Sequence, residues 1–140
     1  MHNLNTMLER WRSENVILLL AEQEETVRQV FSALGMNATQ DVIDLYTTLG
    51  GMAAMDNEYW RLWSLAEIQE ENPQPSSKGI LFADYCVSCW CYRLKPISAS
   101  SCAVYIDHFI NGEEPKLIAS SLTEFFDLYA NDPSELLYCN

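Results

Sequence analysis

Residues 79–94 read GILFADYCVSCWCYRL. Two runs within them, Gly79 to Tyr85 and Ser88 to Leu94, are rich in β-branched and aromatic residues, which suit a pleated, half-buried surface, and each predicts a strand. Downstream, CAVYIDHF over Cys102 to Phe109 predicts a third, and Leu117 to Ala119 a short edge. Upstream, Tyr59 to Trp63 predicts another. Between them, Asn72 to Lys78 contains Pro73 and Pro75 and suits neither helix nor ladder, so it reads as an exposed loop; Asn111 and Gly112 read as a turn.

On both sides of this strand-rich centre the apolar period changes from two to 3.6. Leu4, Met7, Leu8 and Trp11 fall at i, i+3, i+4 and i+7, which aligns them on one helix face. The same spacing recurs at Val27, Val30, Phe31, Leu34, at Val42, Leu45, Tyr46, Leu49, and at Leu122, Phe125, Phe126, Tyr129. Gly35 is placed to close the second helix, Thr39 to cap the third, and Gly50 with Gly51 to stop it. Ser64 with Glu67 and Ser121 with Glu124 have capping-box spacing, and the first of these pairs starts a fifth, short helix. The expected architecture is a single α+β domain over residues 1–140, a mainly antiparallel sheet of about five to six strands packed with about five helices.

The 140 residues carry 20 acidic and 8 basic side chains, a net charge of −12. That field repels polyanions and excludes nucleic acid as the expected partner. The acidity is uneven. Residues 36–78 hold seven acidic and two basic groups, residues 120–140 four and none, residues 79–119 four and three. Such segregation exceeds what solubility requires and suits the complement of a basic partner. No apolar run approaches a membrane span; the longest, Val16 to Ala21, follows Glu9 and Glu14, so neither a membrane anchor nor an export signal is expected. Five cysteines, an odd number, point to free thiols and a cytoplasmic setting.

Several stretches in order resemble the SUKH superfamily, also called the Smi/Knr family, of bacterial toxin-immunity proteins and related eukaryotic and viral proteins. They are the acidic helix leading to Ala33-Leu34-Gly35, Val42 to Gly51, Trp60 to Glu67, Gly79 to Asp84, Val104-Tyr105-Ile106-Asp107-His108, and Ile118 to Phe126. The resemblance covers roughly residues 22–130. Leu49 stands where the family often has Asn before Gly, and Tyr85 where it often has Gly after Asp. The resemblance implies binding and neutralisation of one cognate toxin, frequently a nuclease with a basic substrate channel. It implies no catalytic residue and no cofactor. Regulatory or scaffolding modules share the fold, so a protein-binding role without a toxin is the alternative.

Within the acidic segment, Glu67, Glu70 and Glu71 share a face of the short helix, opposite Leu65 and Ile68, with Asp56 and Glu58 just upstream. These five carboxylates form the expected partner-binding set. Other constellations read as structural. Cys86-Val-Ser-Cys89 has the C-x-x-C spacing of zinc and redox sites, but if Ser88 to Leu94 continues the preceding strand, residues three apart face opposite ways. Only Cys89 and Cys91 would then share a side, and no metal site is expected. A turn at Val87 and Ser88 would reopen that question. Asp107 and His108 are adjacent on a strand and project to opposite faces, which excludes an orienting pair. The four tryptophans belong in the core or at its edge.

Overall fold

Alternation along the strands decides which side of the sheet receives the helices. In the computed structural model, which describes residues 2–137 and so leaves Cys139 outside, one antiparallel sheet runs in chain order. Its strands are β1 (Trp60–Leu62), β2 (Ile80–Tyr85), β3 (Trp90–Pro96), β4 (Cys102–Asp107) and β5 (Lys116–Ala119). The helices among the described residues are α1 (His2–Ser13), α2 (Glu24–Ala33), α3 (Gln40–Tyr46), α4 (Leu65–Glu71), α5 (Leu122–Asn131) and α6 (Ser134–Leu137). The α+β class and the antiparallel sheet agree with the sequence.

The register pairs Trp60 with Tyr85, Tyr92 with Ile106, and Leu94 with Val104, which sets an apolar row on one face. Against it pack Phe125, Phe126 and Tyr129 of α5, all fully buried, with α1 packed on α5. Trp60 is the hub. Its ring lies 5.9 Å from Trp11, 5.6 Å from Phe125 and 5.4 Å from Tyr129. Arg10 on α1 donates to the carbonyl of Ala130 at 2.9 Å, satisfying an orphan acceptor at the end of α5.

The opposite face carries polar groups at the same alternation. Arg61 pairs across to Asp84, Asp84 to Cys91, and Cys91 to Asp107. Beside that row Arg93 donates through Nε to Asp107 at 2.8 Å and through Nη1 to the Gly79 carbonyl at 2.8 Å. A buried ion pair of this kind holds only because its remaining hydrogen bonds are filled.

Both capping residues form their bonds, Ser64 Oγ accepting from the Glu67 amide at 3.2 Å and Ser121 Oγ from the Glu124 amide at 3.0 Å. Thr39 sits at the start of α3 but does not cap it. Its hydroxyl donates to Asp41 Oδ1, while Asp41 Oδ2 accepts the amides of Cys102 and Leu122 at 3.0 and 3.2 Å. One buried carboxylate thus ties α3 to β4 and α5.

Boundaries moved where tertiary contacts outweigh local preference. α3 ends at Tyr46 rather than Leu49, although Leu49 stays buried. β3 starts at Trp90, not Ser88, and Tyr59 falls before β1 with φ +68°. The apolar run at 16–21 proves to be a strap: Gly50 donates to the Leu19 carbonyl and Leu19 to that of Gly51. A Cβ on Gly50 would lie 2.1 Å from the Leu20 carbonyl oxygen, so this close approach requires glycine. Among the described residues, no helix is long and apolar enough to cross a membrane.

A candidate protein-binding surface

The five predicted carboxylates separate into two places, before and after β1. Asp56 opens the turn that feeds β1, an Asx-type arrangement in which a short side chain satisfies amides just ahead of it. Its Oδ1 accepts the amides of Glu58 and Trp60 at 2.9 and 3.0 Å. Its Oδ2 accepts the Trp11 indole at 2.8 Å and the Tyr129 hydroxyl at 2.5 Å. Asp56 is 5% exposed, and four donors leave its carboxylate nothing to offer a partner. Asp56 is therefore removed from the contact set. Burial, then the neighbouring Asp56 carboxylate, pushes the Tyr129 hydroxyl far above the ordinary phenol range. Glu58 is half-buried in the same turn, close enough to Tyr129 to add to that shift.

After β1, the Ser64 cap starts α4, which buries Leu65 and Ile68 and turns Glu67, Glu70 and Glu71 away from the core. Glu67 is not free. Arg61 donates to both of its oxygens, Nη1 to Oε1 at 2.8 Å and Nη2 to Oε2 at 2.5 Å, and Nη2 also reaches Asp84 Oδ2 at 3.3 Å. The bond to Glu67 raises the Arg61 pKa above even the usual guanidinium value. Asp84 is fixed further by the Trp63 indole at 2.7 Å. Glu70 and Glu71 are exposed, and among the described residues neither has an ion-pair partner. They are the carboxylates this part of the surface offers to solvent.

Next to this bridge lies a groove of about 280 Å³ with Arg61 and Asp84 as its polar floor. Ala53, Ala54 and Met55 form one wall, Val87 and Ser88 the other. Met55 is exposed and Val87 is 79% exposed. Met55 and Val87 thus set exposed apolar surface beside the Arg61 and Asp84 charges.

Val87 is exposed because Cys86–Cys89 is a turn, which corrects the reading of Ser88 onward as a continuing strand. Cys86, Val87 and Ser88 take φ of +50°, +54° and +64°, a left-handed run without glycine. For a β-branched residue this conformation is a strained outlier, and such strain collects at functional loops. Cys86 is half-buried, Cys89 exposed, and Cys91 buried between Asp84 and Asp107, whose carboxylates, after burial itself, push its thiol up to about 12. Among the described residues no three His, Cys, Asp or Glu side chains gather as a metal site. Asp107 is engaged by Arg93, and His108 packs on Trp90 at 5.1 Å between ring centroids.

The groove was not read from the sequence. Its walls come from two loops about 32 residues apart, and neither Ala53–Met55 nor Val87–Ser88 carries the Gly, Pro, Asn or Asp that marks a turn in sequence.

The model of the SMI1 / KNR4 family (SUKH-1) matches residues 22–128. The matched span holds all five strands, α2 to α4, most of α5, and both walls of the groove. No curated protein and no solved structure matches the chain.

Proposed function

The chain belongs to the SMI1/KNR4 family (SUKH-1), a family of toxin-immunity-like domains, and from that premise we propose that it binds and neutralises a cognate toxin domain of basic character. The observation that carries this reading is the exposed acidity of α4, Glu70 and Glu71, on the helix whose Glu67 is bridged to Arg61 of an apolar-walled groove, in a chain of net charge −12. Unpaired carboxylates extend a negative field into solvent, which steers a basic partner and resembles the phosphates that a nuclease channel receives. The apolar rim at Met55 and Val87 then supplies the desolvated contact that slows dissociation. Glu58 stands at the margin of the surface, and Glu67 acts through Arg61. Neutralisation is by occlusion of the toxin's active channel, with no cofactor and no catalytic step, in the cytoplasm.

Affinity capture from the native organism tests this reading, followed by expression of each captured protein with and without this chain. The expected result is a partner that kills cells alone and spares them when the chain is co-expressed. Recovery of non-toxic partners only would replace neutralisation by a regulatory or scaffolding role.

A further inference from the structure

We propose that Cys86 and Cys89 form a dithiol site that closes to an intramolecular disulfide on reaction with a disulfide oxidant such as glutathione disulfide. The backbone supplies the juxtaposition. Three successive left-handed residues and the Cys89 amide donating to the Tyr85 carbonyl at 3.0 Å close one helical turn between β2 and β3. In a helical turn, residues three apart share a side, the reverse of their placement in a strand. Cys86 and Cys89 therefore lie on one side of the turn, and the neighbouring Cys86 thiol, with a smaller contribution from Asp84, raises the Cys89 pKa.

The other described thiols differ from this pair in being buried, Cys91 beside Ser88 and Asp84 and Cys102 against the Thr39 hydroxyl at 3.3 Å. A metal ion suits the pair less well, since two thiolates leave a tetrahedral site half empty and no third ligand gathers among the described residues.

The chemistry runs in two displacements. The exposed Cys89 thiolate attacks one sulfur of glutathione disulfide and expels a glutathione thiolate, leaving a mixed disulfide on Cys89. The half-buried Cys86 thiolate then attacks the Cys89 sulfur and expels the second glutathione. Two electrons and two protons pass from the dithiol, and one glutathione disulfide becomes two glutathiones. Because the Cys89 pKa is raised, the first step is slow at neutral pH and accelerates as the thiolate fraction grows. The ring so formed encloses Val87 and Ser88 and would lock one wall of the groove.

The test incubates the full chain with glutathione disulfide at pH 7 to 9, followed by intact mass and peptide mapping. The expected product has lost two hydrogens within the peptide spanning residues 86–89, and forms several-fold faster with each pH unit. Cys86→Ser should instead retain one glutathione on Cys89, with circular dichroism showing an unchanged fold. Stable glutathione on both thiols of the wild-type chain, a disulfide from Cys89 to Cys139 or to a second copy, or no reaction at pH 9 would each overturn the proposal.

Discussion

Before β1 the carboxylate of Asp56 accepts four hydrogen bonds beneath α1 and α5, whereas after β1 the carboxylates of Glu70 and Glu71 are exposed and have no partner among the described residues. By sequence all belong to one acidic segment. Their roles diverge because a buried carboxylate is tolerated only where donors replace its lost water, and those donors come from Trp11 and Tyr129, at opposite ends of the chain. One region uses negative charge to fix the fold; the other leaves it available. Perturbing each region should therefore move different observables.

The largest effect is expected at Asp56. Asp56→Ala leaves the Trp11 indole, the Tyr129 hydroxyl and two amides without their acceptor, at a cost of about 3–5 kcal/mol. Urea unfolding should report that loss, and Tm should fall by roughly 10–20 °C. A change below about 1 kcal/mol would show that Asp56 does not organise this end of the molecule.

Alkali should strain buried groups spread through the molecule, Tyr129 beside Asp56 among them. Tyr46 and Tyr129 titrate near 10 when unfolded and well above it when folded, and the Cys91 and Cys102 thiols move from 9 to about 12. Each folded pKa is raised, so the folded state holds these protons longer. The associated stability is fully present below the unfolded values and is lost as pH rises through 9 and then 10. A loss of about 3–4 kcal/mol by pH 10 is expected from urea titrations. Tyr129→Phe should make the decline above pH 10 shallower.

At the border between the two regions the Arg61 bridge is half-exposed, with 22% of the Arg61 side chain and 28% of the Glu67 side chain accessible. Arg61→Met leaves the buried Asp84 with the Trp63 indole and a longer Ser88 contact, and should cost about 1–2 kcal/mol. Glu67→Gln keeps a hydrogen-bonding group facing Arg61 and should cost about 0.5 kcal/mol. If the two variants cost the same, the bridge is an ordinary surface pair and Asp84 does not depend on it.

Features carried by short-range chemistry were legible in the sequence. The apolar spacing of Leu122, Phe125, Phe126 and Tyr129 gave α5 its buried face, and Ser64 and Ser121 were found as caps because each bond spans three residues. Thr39 and Asp56 were misread because their partners are remote: Asp41 links Thr39 to Cys102 and Leu122, and Asp56 meets Trp11 and Tyr129. The 86–88 turn was hidden because Cys, Val and Ser carry no preference for positive φ. α6, four residues long, offers too little periodicity to detect.

The smallest effect on stability, and the one that isolates the proposed surface, is expected at Glu70 and Glu71. Glu67 is unsuitable for charge reversal, since a lysine there would face Arg61 and disturb the fold along with the field. Glu70→Lys with Glu71→Lys removes no side-chain hydrogen bond or ion pair among the described residues, so unfolding free energy should stay within about 0.5 kcal/mol of wild type. The net charge moves by four units on one helix face, so association with a basic partner should slow by about tenfold at low salt while dissociation changes little. Raising ionic strength should bring the two association rates together, because it screens the field that distinguishes them. An association rate unchanged by the reversal at low salt would separate the acidity of α4 from recognition and leave the groove between Met55 and Val87 as the part of this surface that binds.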